Sequence, residues 1–218
     1  MIVVSKLGKP RHLKPLIHKD FRGSLTEIFL KKKIKFNFNK CITVTSKKNV
    51  IRGLHFQKKF AQHKIIFVLK GIINDFVVDI RKNSKNFGKV YKFKLTSGEA
   101  LIIPKKFAHG YNSLAKENIV VYFLSEDWHP SQESGIIWND KFLNINWGIR
   151  KPILSKKDKL LKLGFGAKEP PPGTPDQAGL RIKSFIEIRI LLEPGFGAKE
   201  PPPGTPDQAG LRIKSFIE

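Results

Sequence analysis

The stretch Lys64–Ile103, KIIFVLKGIINDFVVDIRKNSKNFGKVYKFKLTSGEALII, decides the fold. Its apolar runs are short, rich in Ile, Val and Phe, and interrupted by turn chemistry. They read as β-strands at Lys64–Leu69, Ile73–Ile80, Val90–Leu95 and Ala100–Ile103. Lys70-Gly71 is expected to close a tight hairpin, Arg81–Gly88 to form a polar loop, and Thr96-Ser97-Gly98-Glu99 a short reversal. Working outward, Lys40–Thr45 and Ile119–Leu124 carry the same strand signature. Helical periodicity is weak except at Ser155–Leu163. Many short strands and few helices predict an all-β chain, either a sandwich or a jelly roll, and the pattern does not choose between them.

The chain has 218 residues, 40% of them hydrophobic, enough for one domain with a buried core. A single cysteine, Cys41, rules out an intrachain disulfide and fits a reducing, cytoplasmic setting. The N-terminus, MIVVSKLGKPRHLK, has too short an apolar run for a signal peptide. No run approaches the roughly 18 apolar residues of a membrane helix, so no membrane partner is expected. The formal charge of +23 sits in residues 1–163, which carry 34 Lys+Arg against 11 Asp+Glu; the rest is balanced. Such an excess attracts polyanions, among them a diphosphate. No nucleic-acid-binding motif accompanies it, so nucleic acid is not expected as a partner.

The C-terminal segment stands apart. GFGAKEPPPGTPDQAGLRIKSFIE occurs at Gly164–Glu187 and again, unchanged, at Gly195–Glu218. Repeats under selection for packing drift, so identity marks a recent duplication or an artefact, and two copies are too few for a solenoid. The triple prolines Pro170–Pro172 and Pro201–Pro203 favour extended polyproline II. The expected organisation is a folded domain over residues 1–160 and a Pro/Gly-rich tail over 161–218, disordered or artefactual and dispensable for activity.

Chemistry concentrates around RGLHFQ at Arg52–Gln57. On a regular strand Arg52 and His55, three apart, face opposite sides; a bulge or bend is needed to bring both to one site. Histidine is the side chain best suited to accept a proton near neutral pH. Because Phe56-Gln57 follows it, the HxH pair of a metal-dependent cupin is absent, and no metal is expected. Without a GxGxxG or Walker-type loop, neither an NAD nor an ATP cofactor is expected.

A wider ordered series surrounds this motif: DFRGSLTE (Asp20–Glu27), RGLHFQ, AQHK (Ala61–Lys64), INDFVVDIRKNSKNFG (Ile73–Gly88), IPKKFAHGYNSL (Ile103–Leu114), ESGIIWNDKFLNINW (Glu133–Trp147) and LSKKD (Leu154–Asp158). Over about residues 15 to 160 it resembles the dTDP-4-dehydrorhamnose 3,5-epimerase family. The resemblance implies a cupin-type antiparallel jelly roll (a double-stranded β-helix), a homodimer, a dTDP-sugar substrate and no cofactor; the periodicity at Ser155–Leu163 adds a short C-terminal helix. It also implies general acid–base chemistry. Carbons 3 and 5 flank the ketone of a 4-keto-6-deoxy sugar, so a base can remove either proton to give an enolate. An acid on the opposite face then returns a proton and inverts the centre; each well-placed group contributes roughly 10²–10⁴-fold.

Carried over position by position, the resemblance makes His55 the base and Asp158 the carboxylate that orients it. Tyr122 becomes the acid, a phenol protonated at neutral pH. Lys64 becomes the ammonium that stabilises negative charge on the keto oxygen. Arg22 and Arg52 are assigned to phosphate, and Glu27, Gln57, Asp75, His109 and Trp128 complete the substrate-binding set. Trp128 stands where the family usually has tyrosine, Leu25 where it often has phenylalanine, and Ile42 and Val44 where polar residues are usual, so that only Ser46 is kept. Two alternatives remain: a 3-epimerase acting at one centre of a related deoxysugar nucleotide, and a non-catalytic sugar-nucleotide-binding cupin.

Overall fold

The computed structural model describes residues 2–29 and 32–161. The duplicated tail, with the disorder and dispensability expected of it, lies outside the described residues. In chain order the strands are β1 (Ile2–Val3), β2 (Arg11–Leu13), β3 (Ile17–Asp20), β4 (Gly23–Thr26), β5 (Ile34–Lys35), β6 (Lys40–Lys47) and β7 (Ile51–Gln57). They continue as β8 (Lys64–Lys70), β9 (Ile72–Asp79), β10 (Val90–Thr96), β11 (Ala100–Ile103), β12 (Phe107–Ser113), β13 (Glu117–Leu124) and β14 (Glu133–Gly135). The short helix α1 (Lys156–Lys159) follows, its first turn capped where Ser155 Oγ accepts from the Asp158 backbone N–H.

Two five-stranded antiparallel sheets face each other, in the orders β10-β9-β12-β7-β14 and β2-β11-β8-β13-β6. From β6 to β13 the chain changes sheet at every step except β9 to β10. This alternation makes the architecture a jelly roll of the cupin type, resolving the choice that pattern left open. One turn reading changes with it. Lys70-Gly71 is not a hairpin: β8 and β9 lie in different sheets, so the turn is a corner between them. Thr96–Glu99 is the short reversal expected, and it carries the chain from one sheet to the other, whereas the polar loop Arg81–Gly88 joins the paired strands β9 and β10. Turn residues report a reversal; which partner the next strand finds depends on distant strands.

The interior between the sheets is filled at one end by Ile66, Val68, Ile73, Val77, Leu95, Leu101, Ile103, Phe107 and Val120. The outer face of the first sheet is covered by residues 136–154, where Ile136, Leu143 and Trp147 pack on Ile51, Leu54, Phe76 and Val78. The N-terminal segment covers the second sheet, with Val4, Ile34 and Phe36 against Ile65 and Ile102. Burial of both sheet faces explains why β8, β9 and β11 read as near-continuous apolar runs rather than as alternating ones.

Candidate active site

The polar end of the same interior holds the chemistry. On β12, His109 and Tyr111 are two residues apart and share the inner face with Asp75 of β9, the Cα partner of Tyr111. Across the β7–β12 pairing, His55 lies opposite His109 and Arg52 opposite Tyr111, so three steps on β7 match two on β12. This β-bulge puts both Arg52 and His55 on the inner face while Ile51 and Leu54 stay in the outer cluster. Two glycines make room for it. Gly53 has φ +123°, and a Cβ there would lie 2.5 Å from Gly110 Cα; a Cβ on Gly110 would lie 2.7 Å from the Arg52 carbonyl oxygen.

His55 is held by the C-terminal helix. Its Nε2 lies 2.6 Å from Asp158 Oδ1. An ionised carboxylate only accepts, so Nε2 carries the hydrogen and Nδ1 keeps its lone pair for an incoming proton. Asp158 is 4% exposed and His55 29%. Burial pushes the Asp158 carboxyl up, but the bonds from His55 and Ser155 outweigh it and hold it below its ordinary value. Beyond the free nitrogen stands a second carboxylate: Glu133 Oε1 is 4.0 Å from His55 Nδ1. The other Glu133 oxygen takes hydrogen bonds from Lys157 Nζ at 2.5 Å and Trp128 Nε1 at 2.7 Å. Burial raises the Glu133 carboxyl, and these two donors bring it below its ordinary value overall.

The facing sheet supplies Lys64 from β8 and Tyr122 from β13. Leu124 pairs with Lys64, and Tyr122 with Ile66, so both point inward with Ile66. Among the described residues no ion pair involves Lys64. Burial lowers its ammonium to about 8, against the opposing pull of Asp75 and Glu133. Burial, reinforced by Tyr111 and Asp75, raises the Tyr122 phenol well above its ordinary value, so it stays protonated. The ring of Tyr122 meets His109 edge-on at 6.0 Å between centroids. His109 Nε2 lies 2.8 Å from Asp75 Oδ2, with both side chains almost sealed from solvent. The mutual influences link the two walls: Glu133 acts on Lys64 and His55 on Glu133, while Asp75 acts on both Lys64 and Tyr122. His55, Lys64, Asp75, His109, Tyr122 and Asp158 thus belong to one cluster between the sheets.

The other expected site residues fall into four groups. Arg52 lies at the edge of the cluster, its Nε donating to Ser46 Oγ at 3.0 Å and its Nη2 to the Thr45 carbonyl; Ser46 in turn bonds the Tyr111 hydroxyl at 2.9 Å. Trp128 stands half-open beside Glu133. Gln57 is spent internally: its amide donates to the Phe60 and Asp127 carbonyls and accepts from the His129 backbone N–H. It braces two loops, which leaves little of its amide for a ligand. Arg22 and Glu27 are not brought to the cluster within this chain. Arg22 binds Asp20 at 2.7 Å on the exposed β3–β4 hairpin, and Glu27 faces Lys33 at 4.0 Å.

Glu133, Lys157 and Tyr111 were not singled out from sequence. Each lies inside a quoted motif, but a carboxylate or lysine among many carries no signal until its partners are known. Surface clefts of about 440 Å³ beside His63 and Ser125, and about 400 Å³ beside Trp138 and Trp147, hold none of the cluster.

A family model described as dTDP-4-dehydrorhamnose 3,5-epimerase matches residues 6–163. The chain is 35% identical over 157 residues to the dTDP-4-dehydrorhamnose 3,5-epimerase of Methanothermobacter thermautotrophicus, covering 67% of this chain and 85% of that relative. Against that of Shigella flexneri the identity is 38% over 153 residues, covering 66% and 84%. Among solved structures, dTDP-4-dehydrorhamnose 3,5-epimerase from Bacillus anthracis with TDP and PPi bound superposes with a TM-score of 0.68 at 38% identity, covering 71% of this chain and 93% of that one. The dTDP-6-deoxy-D-glucose-3,5-epimerase of Legionella pneumophila, in complex with dTDP-4-keto-L-rhamnose, gives 0.69 at 32%, covering 75% and 92%. With the fold, the clustered acid–base groups and these matches in agreement, the chain belongs to the dTDP-4-dehydrorhamnose 3,5-epimerase family.

Proposed function

We propose that the enzyme inverts carbons 3 and 5 of its dTDP-4-keto-6-deoxy sugar with His55 as base and Tyr122 as acid, from opposite walls of the cavity. The observation that carries this reading is the His55–Asp158 bond of 2.6 Å, which leaves Nδ1 as the free nitrogen. Nδ1 removes the proton next to the ketone, and Asp158 stabilises the imidazolium that forms. Lys64, which has no ion pair among the described residues, supports the enolate oxygen. The Tyr122 phenol returns a proton to the other face. Asp75 and His109 line the sugar site, Trp128 and Glu133 form its rim, and Arg52 serves the phosphates.

A homodimer fits the β3–β4 hairpin, where Phe21 is 98% exposed and Leu16 and Leu25 more than half exposed. Such apolar area calls for a partner surface, and a second copy would give Arg22 and Glu27 a site to act on. A monomer mass in solution by light scattering argues against it. No helix among the described residues is long and apolar enough to cross a membrane; we assign the enzyme to the cytoplasm, where its exposed thiol, Cys41, would stay reduced. Residues 1–160 form the catalytic domain in this reading, and removal of 164–218 leaves its activity intact.

The test is incubation with dTDP-4-dehydro-6-deoxyglucose in deuterated water. Label at carbons 3 and 5 is expected, and His55→Ala abolishes it while the circular dichroism spectrum persists. Label confined to carbon 3 throughout a time course would establish the single-centre alternative, and full exchange by His55→Ala would remove His55 from the mechanism.

A further inference from the structure

In a gluco-configured pyranose chair the hydrogens on carbons 3 and 5 are both axial and lie on one face. One base and one acid therefore serve both centres, and this creates a proton deficit. After the first inversion His55 carries an extra proton and Tyr122 is a phenolate. Neither is competent for the second inversion of the same bound sugar until His55 has lost a proton and Tyr122 has gained one.

The cluster between the sheets contains a group placed for that transfer. His109 is the direct cross-strand partner of His55, a position that sets Cβ atoms roughly 5 Å apart. On its other side its ring meets that of Tyr122, with centroids 6.0 Å apart and planes at 64°. Its Nε2 is tied to Asp75 Oδ2 at 2.8 Å, which leaves Nδ1 of the neutral ring able to accept a proton. Asp75 is fully buried, and among the described residues its Oδ1 has no hydrogen-bond partner. A merely structural carboxylate would be expected to satisfy both oxygens; one with a spare acceptor, next to an imidazole, is suited to stabilising a transient positive charge.

We propose that the His109–Asp75 pair carries the proton from His55 back to Tyr122 between the two inversions. The imidazolium of His55 gives its Nδ1 proton to Nδ1 of His109, restoring the base. His109, now an imidazolium balanced by Asp75, gives that proton to the Tyr122 oxygen, restoring the acid. One N–H bond is broken and one O–H bond is formed in net, without a co-reactant. The inference rests on the roles proposed for His55 and Tyr122.

The experiment uses the full chain with dTDP-4-dehydro-6-deoxyglucose in deuterated water, quenched within the first turnovers, and counts sugars inverted at one centre against those inverted at both. The native chain is expected to release mostly doubly inverted product. In His109→Gln the ratio of double to single inversion falls about a hundredfold, the low end for losing a positioned acid–base group. Added imidazole raises the ratio again in proportion to its concentration. Asp75→Asn, which keeps the ring, shifts the ratio in the same direction and decides the matter if His109→Gln does not fold. Both inversions slowed by a common factor, with an unchanged ratio and no response to imidazole, overturn the relay alone. Absence of deuterium at either carbon with the native chain overturns the underlying acid–base reading, and the relay with it.

Discussion

Replacing Lys64 with methionine separates what the buried ammonium does for the reaction from what it costs the fold. Lys64 is held at about 8 against an ordinary 10.5. At about 1.4 kcal/mol per pH unit, keeping it charged costs the folded protein on the order of 3 kcal/mol at neutral pH. Methionine keeps the length of the chain and removes the charge; Asp75 and Glu133 lose a countercharge, which offsets part of the gain. Lys64→Met is therefore expected to be more stable at pH 7 by about 1–3 kcal/mol. The pH dependence gives the sign independently. Between about 8 and 10.5 the unfolded chain holds a proton that the folded chain has shed, so native stability rises with pH across that window. The advantage of the variant is thus largest below pH 8 and closes by about pH 10.5. Urea denaturation of both proteins at pH 7, 9 and 10.5 measures it, and deuterium exchange measures the other half: loss of the enolate's countercharge slows exchange by about 10²–10³-fold. A variant destabilised at pH 7 by an amount independent of pH would refute the burial argument. Undiminished exchange would take Lys64 out of the chemistry.

Three further outcomes are expected. Asp158→Asn removes the ionised partner of His55 and slows exchange by about 10- to 100-fold, the worth of a hydrogen bond to a charged group; unchanged kinetics would mean that the 2.6 Å bond only holds α1 in place. Gly53→Ala forces a Cβ against Gly110 at a φ of +123° and costs about 1–3 kcal/mol or more by thermal denaturation; a neutral result would show that the bulge relaxes without loss. Gln57→Ala breaks three hydrogen bonds bracing the loops at Phe60 and Asp127–His129. It lowers stability by about 1–3 kcal/mol, with KM rising more than kcat falls; a selective loss of kcat would instead give its amide a role in the transition state.

Much of this arrangement was legible in the chain itself. Strands β8, β9, β10, β11 and β13 were expected within a few residues of their observed ends, because apolar β-branched runs between turn residues have few other ways to be buried. Strands β7 and β12 escaped that reading. IRGLHFQ and FAHGYNS mix glycine, histidine and polar residues with the apolar ones, a composition that strand propensity disfavours. They form strands because both neighbours in the sheet pair with them, and they carry polar residues because one face belongs to the polar cluster between the sheets. Local rules failed at the site, where function sets the composition.

The order of motifs along the chain determined the family and nominated His55, Asp158, Tyr122 and Lys64, since residue type and succession are properties of the chain alone. What only the tertiary structure decided is how they meet. A one-residue bulge turns Arg52 and His55 to the same face, and α1 returns Asp158 to a histidine 103 positions earlier. Glu133 gains Trp128 and Lys157 as partners, whereas Gln57 is diverted into bracing loops. The physical reason is that a hydrogen bond depends on distance and direction in space. A strand's register sets both, and register is fixed by pairing with segments remote in the chain.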